Sequence, residues 1–343
     1  MKADLQAEFN IFPELSLNRV GIKGVKKRIE VHRGKGEQIL YINPIIDAYV
    51  HLPGSQRAIH MSRSVESVES VINDSVVEPV KNIEEFARRI VDSLLELHDY
   101  SESAEVHIEG DLIIQSNNGN GENGNKQTNL KPSQKINLVQ KIYEILCNAK
   151  AVRSNQKREE NASRVNYELE IGISAYGMTC CPCAQQMNRE YSIEILKKDP
   201  TLNLTDGQIQ KIISTIPIAS HNQRALAAII LKTKDIENEI IDLFDLVEAI
   251  ENGMSGKISS ILKRPEEASL VRHAHMNPVF VEDAVRLIAL NLSASRFSGI
   301  SDETQVKIKI ESYESIHSHN AYAELNTTLK DLREKTKGYK IRG

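Results

Sequence analysis

The 343-residue sequence predicts an α+β fold in which antiparallel β-hairpins alternate with helices. Segments 143–151 and 165–173 alternate strictly between apolar and polar residues, which is typical of strands with one buried face. The polar segment 153–163 lies between them, so the pair predicts a long antiparallel hairpin. Segment 83–98 has the apolar spacing of an amphipathic helix. The order of strands, helices, strands, helices and a final strand favours antiparallel sheets with helices packed on one face.

The N-terminal part of the chain is predicted to form a hairpin that is followed by helices. Apolar and polar residues alternate around Val20 and again around Ile39, and residues 33–36 between them have the composition of a turn. Asn82 suits the N-cap position of the helix at 83–98. The other predicted elements are helices at 184–198, 206–216, 237–251 and 280–294, and strands at 106–112, 226–231 and 306–310.

The chain is expected to fold as one unit built from two hairpin-and-helix halves, at about 1–130 and 131–343. Residues 115–130 are rich in Asn and Gly, which is typical of a flexible loop. An apolar stretch of ~18 residues, as a transmembrane helix would need, is absent from the sequence. Residues 1–10 are polar and lack the apolar core of a signal peptide. We therefore expect a cytoplasmic protein.

The charge balance and the cysteines exclude several classes of protein. Lys and Arg number 43 against 47 Asp and Glu, which gives a net charge of −4. This balance does not suit a protein that binds duplex nucleic acid, and polybasic segments typical of membrane attachment are missing. A small anionic substrate would need only a few placed cations. Cys180, Cys181 and Cys183 are too close in sequence to form a disulfide framework, so a reducing compartment is expected.

Three distant segments, 177–185, 221–224 and 314–319, contain cysteine, histidine and acidic residues. Thiolate, imidazole and carboxylate ligands suit a borderline metal ion such as Zn²⁺ or Fe²⁺. With an open coordination position, such an ion can activate water for hydrolysis. The segments therefore predict one mononuclear metal site, gathered from three parts of the fold.

Spacing alone leaves the ligands of this site open. Pro182 should direct the thiols of Cys181 and Cys183 differently, so one of them binds metal, unless the cysteines form a buried cluster. His221 could also be a structural histidine. The remaining candidates are two i,i+2 histidine pairs and several acids: His273 with His275, His317 with His319, and Glu251, Glu266, Glu267, Glu282 and Glu314. The residues themselves predict a metal-dependent hydrolase without a defined substrate.

Six ordered motifs resemble one enzyme family over nearly the whole chain. The motifs are Ile59–Glu66, Cys181–Cys183, His221–Arg224, Leu262–Glu267, Asn277–Asp283 and Glu314–His319. The chain resembles the metal-promiscuous GTP cyclohydrolases, called type IB in bacteria, and their archaeal (type IV) branch. The resemblance implies the tunnelling fold, in which antiparallel sheets are completed into a barrel by oligomerisation. It also implies a homotetramer with active sites at the subunit interfaces.

The resemblance further implies the roles of particular residues. The expected metal ligands are Cys181, His221, Glu267 and His317. Glu282 should accept hydrogen bonds from the guanine edge of the substrate. His319 would be a reserve ligand or a proton carrier, and Cys183 would lie beside the metal without binding it. The cations expected near the triphosphate, where Arg can grip phosphate with two parallel hydrogen bonds, are Arg63, Arg224, Lys263 and Arg264.

Two departures from the bacterial pattern accompany the resemblance. Residues 186–218 separate the cysteine turn from His221 by far more than in bacterial members, and this helical insertion resembles the archaeal branch. Glu266 stands where the family usually has Asp, which leaves the expected ligand Glu267 unaffected.

The implied reaction opens the guanine ring of GTP at C8 and releases formate. In the archaeal branch the product is 7,8-dihydroneopterin 2′,3′-cyclic phosphate with pyrophosphate, the start of tetrahydromethanopterin-type pterin synthesis. That reaction depends on Fe²⁺, one ion per subunit, with Zn²⁺ or Mn²⁺ as substitutes. The first alternative is the bacterial-type reaction, which stops at 7,8-dihydroneopterin triphosphate for folate synthesis. Two others are a non-catalytic purine- or pterin-binding protein and a redox-sensing thiol protein.

Overall fold

The computed structural model describes residues 13–33, 38–77, 82–117, 138–154, 165–234 and 241–340. The strands in these ranges are β1 (Leu17–Lys26), β2 (Ile29–Arg33), β3 (Gln38–Leu52), β4 (Ser103–Asn117), β5 (Leu138–Arg153), β6 (Val165–Cys180), β7 (Asn222–Thr233), β8 (Gly256–Lys257), β9 (Gln305–Ser312) and β10 (Ala321–Thr328). The helices are α1 (Met61–Val77), α2 (Ile83–Leu97), α3 (Pro182–Lys198), α4 (Asp206–Thr215), α5 (Leu243–Gly253), α6 (Arg264–Met276), α7 (Val281–Leu292) and α8 (Leu329–Lys335). A short 3₁₀ helix spans Ser295–Phe297.

Within the described ranges, the strands form one antiparallel sheet in the order β1-β3-β4-β5-β6-β7-β9-β10. The short strands β2 and β8 pair with β3 and β6. The predicted hairpin is confirmed as β5 and β6, whose register places Cys147 opposite Ile171 and Ala149 opposite Leu169. The predicted α+β class is confirmed.

Helices cover one face of this sheet. One row of directly opposed, buried residues crosses it from strand to strand: Ile46, Ile108, Cys147, Ile171, Leu231 and Val306. Helix α2 packs on β4 and β5, α5 on β6 and β7, and α7 on β9 and β10. Burial of this apolar row is the main stabilising contribution that the pattern predicts. The opposite face holds a depression of about 440 Å³ whose lining includes Glu109, Asp111 and Glu144.

Helix α2 shows why local sequence determines where a helix begins. The side chain of Asn82 accepts a hydrogen bond of 2.8 Å from the backbone amide of Glu85, as its predicted N-cap role requires. Phe86, Ile90 and Leu94 then recur at helical spacing and are fully buried.

Some predicted boundaries were wrong or lie outside the described residues. Strand β4 extends to Asn117, so the first residues of the predicted loop at 115–130 belong to the sheet, where Gln115 pairs with Gln140. The rest of that loop lies outside the described residues, as do most of the predicted turn at 33–36, most of the loop at 153–163 and the start of the helix at 237–251.

None of the helices in the described ranges combines the length and the apolar composition needed to cross a bilayer.

Candidate metal and substrate site

The backbone brings Cys181 next to His221. Strand β6 ends at Cys180, and Cys181 is the N-cap residue of α3, with Pro182 at the first helical position. The amide of Cys181 donates a 3.1 Å hydrogen bond to the carbonyl oxygen of His221. The hydroxyl of Ser220 donates a 2.6 Å hydrogen bond to the carbonyl oxygen of Cys181. The thiol of Cys181 makes no capping hydrogen bond, which leaves it available as a ligand.

The imidazole of His221 is held by a glutamine and an acid. Its Nδ1 atom lies 3.0 Å from Oε1 of Gln223 and 3.8 Å from Oε2 of Glu314. The Nε2 atom of Gln223 donates a 3.0 Å hydrogen bond to Oε1 of Glu314. The side chains of His221 and Glu314 are 15% and 10% exposed, so both are shielded from bulk water. Glu314 therefore supports His221 from the interior.

His317 and His319 lie beside His221. The ring centroids of His221 and His317 are 6.4 Å apart in an edge-to-face arrangement, and those of His317 and His319 are 5.3 Å apart and stacked. The sequence placed this pair on an extended segment, which was wrong. Residues 315–319 form a bend between β9 and β10. They lie outside the strand pairing, whose last pair before the bend is Ser312 with Ala321.

The other histidine pair, His273 and His275, does not join the cluster formed by Cys181, His221 and His317. His275 is buried in α6, with Nδ1 lying 2.8 Å from the carbonyl oxygen of Val271 and Nε2 3.2 Å from that of Ser220. Both ring nitrogens therefore face backbone carbonyl groups. His273 is exposed on the same helix. We interpret His275 as a structural residue that ties α6 to the segment just before His221.

The candidate acids divide by the contacts that they make. Glu266 caps α6, since its Oε2 accepts a 2.7 Å hydrogen bond from the amide of Lys263. Glu267, the next residue, is exposed in the first turn of the same helix. Glu251 is buried and accepts hydrogen bonds from Lys141 and Tyr143 at 3.0 and 3.1 Å. Within the described part of the chain, Glu267 is the one of these three acids whose side chain makes no such contact.

Glu282 is exposed in the first turn of α7. The chain just before it is fixed to the cysteine segment, because the amide of Val279 donates a 3.1 Å hydrogen bond to the carbonyl oxygen of Cys180. The start of α7 is thereby held close to the end of β6.

The predicted cations lie in two regions. Arg224 on β7 and Lys263 and Arg264 at the start of α6 are exposed, and the carbonyl oxygen of Arg224 accepts a 2.9 Å hydrogen bond from the amide of Tyr313. Arg63 lies on α1, which packs on α2 and β1, and its Nη1 donates a 2.9 Å hydrogen bond to the carbonyl oxygen at the end of α2. Strands β3, β4 and β5 separate β1 from β6, so one chain does not bring Arg63 to the cluster.

The donor set of the cluster fits a borderline metal ion by its chemistry. Cys181, His221 and His317 would offer one sulfur and two imidazole donors at the same end of the sheet, which is a mixture that Zn²⁺ or Fe²⁺ accepts. The donors are not closed into a coordination sphere. Among the described residues, no three His, Cys, Asp or Glu side chains converge closely enough to hold a metal ion.

Cys180 and Cys147 have structural surroundings. Both are fully buried, and burial raises the pKa of each thiol above its usual value. The amide of Cys180 also donates a 3.1 Å hydrogen bond to the hydroxyl of Ser255. Because the thiolate is the reactive form, a raised pKa makes these two residues poor redox sensors.

Sequence reasoning missed Gln223 and Ser312 as parts of the site. Gln223 follows His221 by two residues at the start of β7, and side chains at i and i+2 point to the same face of a strand. That spacing could have identified Gln223. Ser312 had no comparable signal, since its contact with Gln223 depends on the pairing of β7 with β9.

Comparisons with known sequences match nearly the whole chain. A sequence model described as "Type I GTP cyclohydrolase folE2" matches residues 3–323. A GTP cyclohydrolase MptA of Methanosphaera stadtmanae is 36% identical over 324 residues, which cover 94% of each chain. A GTP cyclohydrolase MptA of Methanocaldococcus jannaschii is 33% identical over 326 residues, which cover 95% of each chain.

Comparison with solved structures finds uricases at low similarity. Uricase from Arthrobacter globiformis has a TM-score of 0.44 and 8% identity, covering 91% of this chain and 93% of its own. Urate oxidase from Bacillus sp. TB-90 has a TM-score of 0.47 and 9% identity, covering 91% of this chain and 100% of its own. Both TM-scores lie below 0.5, so the family assignment rests on the sequence matches. On those matches, the chain belongs to the type I GTP cyclohydrolase folE2 family.

Proposed function

We propose that this protein is a metal-dependent GTP cyclohydrolase that forms 7,8-dihydroneopterin 2′,3′-cyclic phosphate, formate and pyrophosphate. This would be the first step of a tetrahydromethanopterin-type pterin synthesis. The observation that carries the proposal is the position of His221 at one end of the sheet, where its backbone is bonded to Cys181 and its ring lies 6.4 Å from that of His317, centroid to centroid. The relatives named GTP cyclohydrolase MptA support the substrate and the reaction class.

The residues that would hold the metal are Cys181, His221, His317 and Glu267. A metal ion of this class lowers the pKa of water toward ~7 and so supplies a nucleophile at neutral pH. We propose Fe²⁺, one per subunit, with Zn²⁺ or Mn²⁺ as substitutes. Zn²⁺ should bind more tightly by the general affinity order, so iron would act because of its availability and reactivity. Full activity of the zinc form would contradict the choice of iron.

Glu282 would orient the substrate. Its carboxylate can accept hydrogen bonds from both the ring N–H and the exocyclic amine of guanine, a pattern that other nucleobases do not offer together. Its exposed position at the start of α7 leaves the carboxylate accessible to a ligand. The hydrogen bond between Val279 and Cys180 holds this helix start near the proposed ligand Cys181. Glu282 would therefore fix the guanine ring relative to the metal.

The triphosphate would be bound by cations. Arg224, Lys263 and Arg264 are exposed at the ends of β7 and α6, and Arg pairs with phosphate through two parallel hydrogen bonds. Arg63 would come from another subunit, since it lies across the sheet from the cluster in its own chain. His319, whose ring stacks on that of His317, would carry a proton during ring opening.

We propose a homotetramer in which tunnelling-fold sheets complete a barrel and the active sites lie at subunit interfaces. The face of the sheet opposite the helices supports this arrangement, because Ile45 and Ile142 are 45% and 60% exposed there among the described residues. Apolar side chains on a sheet face favour burial against another surface. The separation of Arg63 from Cys181 within one chain is a second argument for a shared site.

The second candidate is the reaction that stops at 7,8-dihydroneopterin triphosphate. The family model, described as type I GTP cyclohydrolase, favours this alternative. Both reactions use GTP and release formate, so the phosphate content of the pterin and the release of pyrophosphate distinguish them.

Anaerobic incubation of the metal-free protein with GTP and Fe²⁺ tests the proposal, with mass spectrometry of the pterin and an assay of formate. We expect a cyclic monophosphate and free pyrophosphate. A triphosphate product would establish the second candidate. Intact GTP in the presence of bound metal would instead indicate a non-catalytic nucleotide-binding protein. His221→Ala is the inactive control, and His273→Ala, at an exposed position of α6, is the matched control that should remain active.

A further inference from the structure

A chain of polar side chains leads from the sheet interior to His221. The hydroxyl groups of Thr179 and Ser312 lie 2.9 Å apart, and both residues are buried. The Nε2 atom of Gln223 donates to Oγ of Ser312 at 3.2 Å and to Oε1 of Glu314 at 3.0 Å. The Oε1 atom of Gln223 lies 3.0 Å from Nδ1 of His221. Because each of these groups has a neighbour, the orientation of every member depends on the next.

Glu314 determines which way the Gln223 amide points. An ionised carboxylate only accepts hydrogen bonds, so the amide group that faces Glu314 must be the NH₂ group. The hydroxyl of Ser312 takes the second proton of that NH₂ group and can direct its own proton to Thr179. Inverting the amide would place two acceptor oxygens 3.0 Å apart in a shielded site, which is costly.

The amide in turn determines the protonation of His221. With its NH₂ group directed at Glu314, Gln223 presents only an acceptor oxygen to Nδ1 of His221. The Nδ1 atom must then carry the proton, and in a neutral imidazole the other nitrogen, Nε2, keeps its electron pair. We propose that Glu314, acting through Gln223, fixes His221 in the tautomer that presents Nε2 as an electron-pair donor. Both are therefore positioning residues.

Glu314 does not act on the imidazole directly. Its Oε2 atom is 3.8 Å from Nδ1 of His221, which is beyond hydrogen-bond distance, whereas Gln223 bridges the two groups with 3.0 Å contacts. The inference rests on the proposed function in one respect, namely that His221 binds the metal there. Residues that orient a ligand histidine in this way typically change metal affinity about 10–100-fold when they are replaced.

Nitrogen NMR of metal-free protein labelled with ¹⁵N-histidine measures the tautomer without metal or GTP. At a pH where the ring is neutral, we expect the His221 signals to show a protonated Nδ1 and an unprotonated Nε2, with His221→Gln identifying those signals. Glu314→Gln lets the facing amide act as donor or acceptor, so the other tautomer should become populated. Glu311→Gln is the matched control, because the Glu311 carboxylate accepts its hydrogen bond from Asn320 and not from Gln223. A protonated Nε2 in the natural protein, or an unchanged ring in Glu314→Gln, would overturn the inference.

Metal affinity, measured by chelator competition with Zn²⁺, tests the positioning role separately. We expect Glu314→Gln and Gln223→Ala each to weaken binding about 10–100-fold, and the double variant to lose no more than the weaker-binding single variant. If Glu314→Gln lost metal binding while Gln223→Ala kept it, Glu314 would be a ligand, which would contradict the inference. Failure of GTP turnover with the expected tautomer and affinities would count against the proposed function only.

Discussion

The Nε2 atom of His275 lies 3.2 Å from the carbonyl oxygen of Ser220, the residue immediately before His221. The same ring contacts the carbonyl oxygen of Val271 through Nδ1 at 2.8 Å. Helix α6 also receives a 2.6 Å hydrogen bond from Nε2 of Gln185 at the carbonyl oxygen of His275. A single buried side chain thus joins α6, which carries Glu267, to the segment that carries His221.

Replacing this buried ring by Phe should destabilise the fold. His275→Phe keeps the aromatic volume but leaves the carbonyl oxygen of Ser220 without this contact, which typically costs about 1–3 kcal/mol. His273→Phe, on the exposed side of the same helix, should change stability by less than about 0.5 kcal/mol. Urea unfolding of both variants measures the difference. Equal effects would show that the contacts of His275 contribute nothing particular to stability.

Cys181 and Cys183 should differ sharply in their effect on metal content. Cys181→Ser keeps a side chain that suits the N-cap of α3, so the helix should still begin at Pro182 while the thiolate is lost. We expect this variant to retain only traces of metal after anaerobic reconstitution, and Cys183→Ser to retain a full complement. Elemental analysis gives both values. Full metal content in Cys181→Ser would favour the redox-thiol alternative.

His98 should make folding stability depend on pH below neutrality. The ring is fully buried between Ser64 and Tyr100, at 3.3 and 2.8 Å, and its pKa falls from 6.5 to about 4 through burial and then the charge of Arg63. Between these two pH values the unfolded chain binds a proton that the folded chain does not. Stability is therefore complete above about pH 6.5 and declines, by on the order of 2 kcal/mol, as the pH falls toward 4.

The variant that tests this dependence is His98→Gln, compared by thermal unfolding at several pH values. Its loss of stability between pH 6.5 and 4 should be smaller than that of the natural protein by the amount that His98 contributes. His273→Gln, on the exposed surface, should leave the pH profile unchanged. Identical profiles for all three proteins would contradict the assignment to His98.

Gly110 should be intolerant of any side chain. It lies opposite Pro44, and a Cβ atom there would come within 2.8 Å of the Pro44 Cα and 3.0 Å of the Asn43 carbonyl oxygen. Because both atoms belong to the backbone of β3, Gly110→Ala should cost about 1–3 kcal/mol. Gly207→Ala in α4 meets open space and should stabilise the helix by about 0.5–1 kcal/mol. Chemical unfolding that ranks these variants in the reverse order would disprove the steric argument.

Local pattern predicted the elements whose burial follows one clear period. Apolar and polar residues alternate in β5 and β6 because helices cover one face of the sheet. Helix α6 escaped prediction because only Ala274 and His275 are buried in it, so its apolar spacing is weak. Strand β10 escaped for a similar reason, since its burial pattern alternates only between exposed and intermediate positions at the edge of the sheet.

The sequence likewise predicted only part of the candidate site. The cysteine, histidine and acidic residues were visible as motifs, and their residue types already indicated a borderline metal. Their mutual arrangement was not visible, because the contact of His221 with Glu314 depends on the register of β7 against β9. The helix-capping hydrogen bond of Arg63 also depends on the packing of α1 against α2, which no local pattern reports.

Two hydrogen bonds join Cys181 to Ser220 and His221. They hold together the two ends of the long segment that contains α3 and α4. A small separate core joins these helices, because Ile193 and Leu196 of α3 pack against the buried residues Ile209, Ile213 and Ile218. Because the entropy of closing a loop grows only slowly with its length, the segment could be shortened or extended with little effect on the closure. During evolution the pair of helices α3 and α4 could therefore be acquired or lost without moving Cys181 or His221.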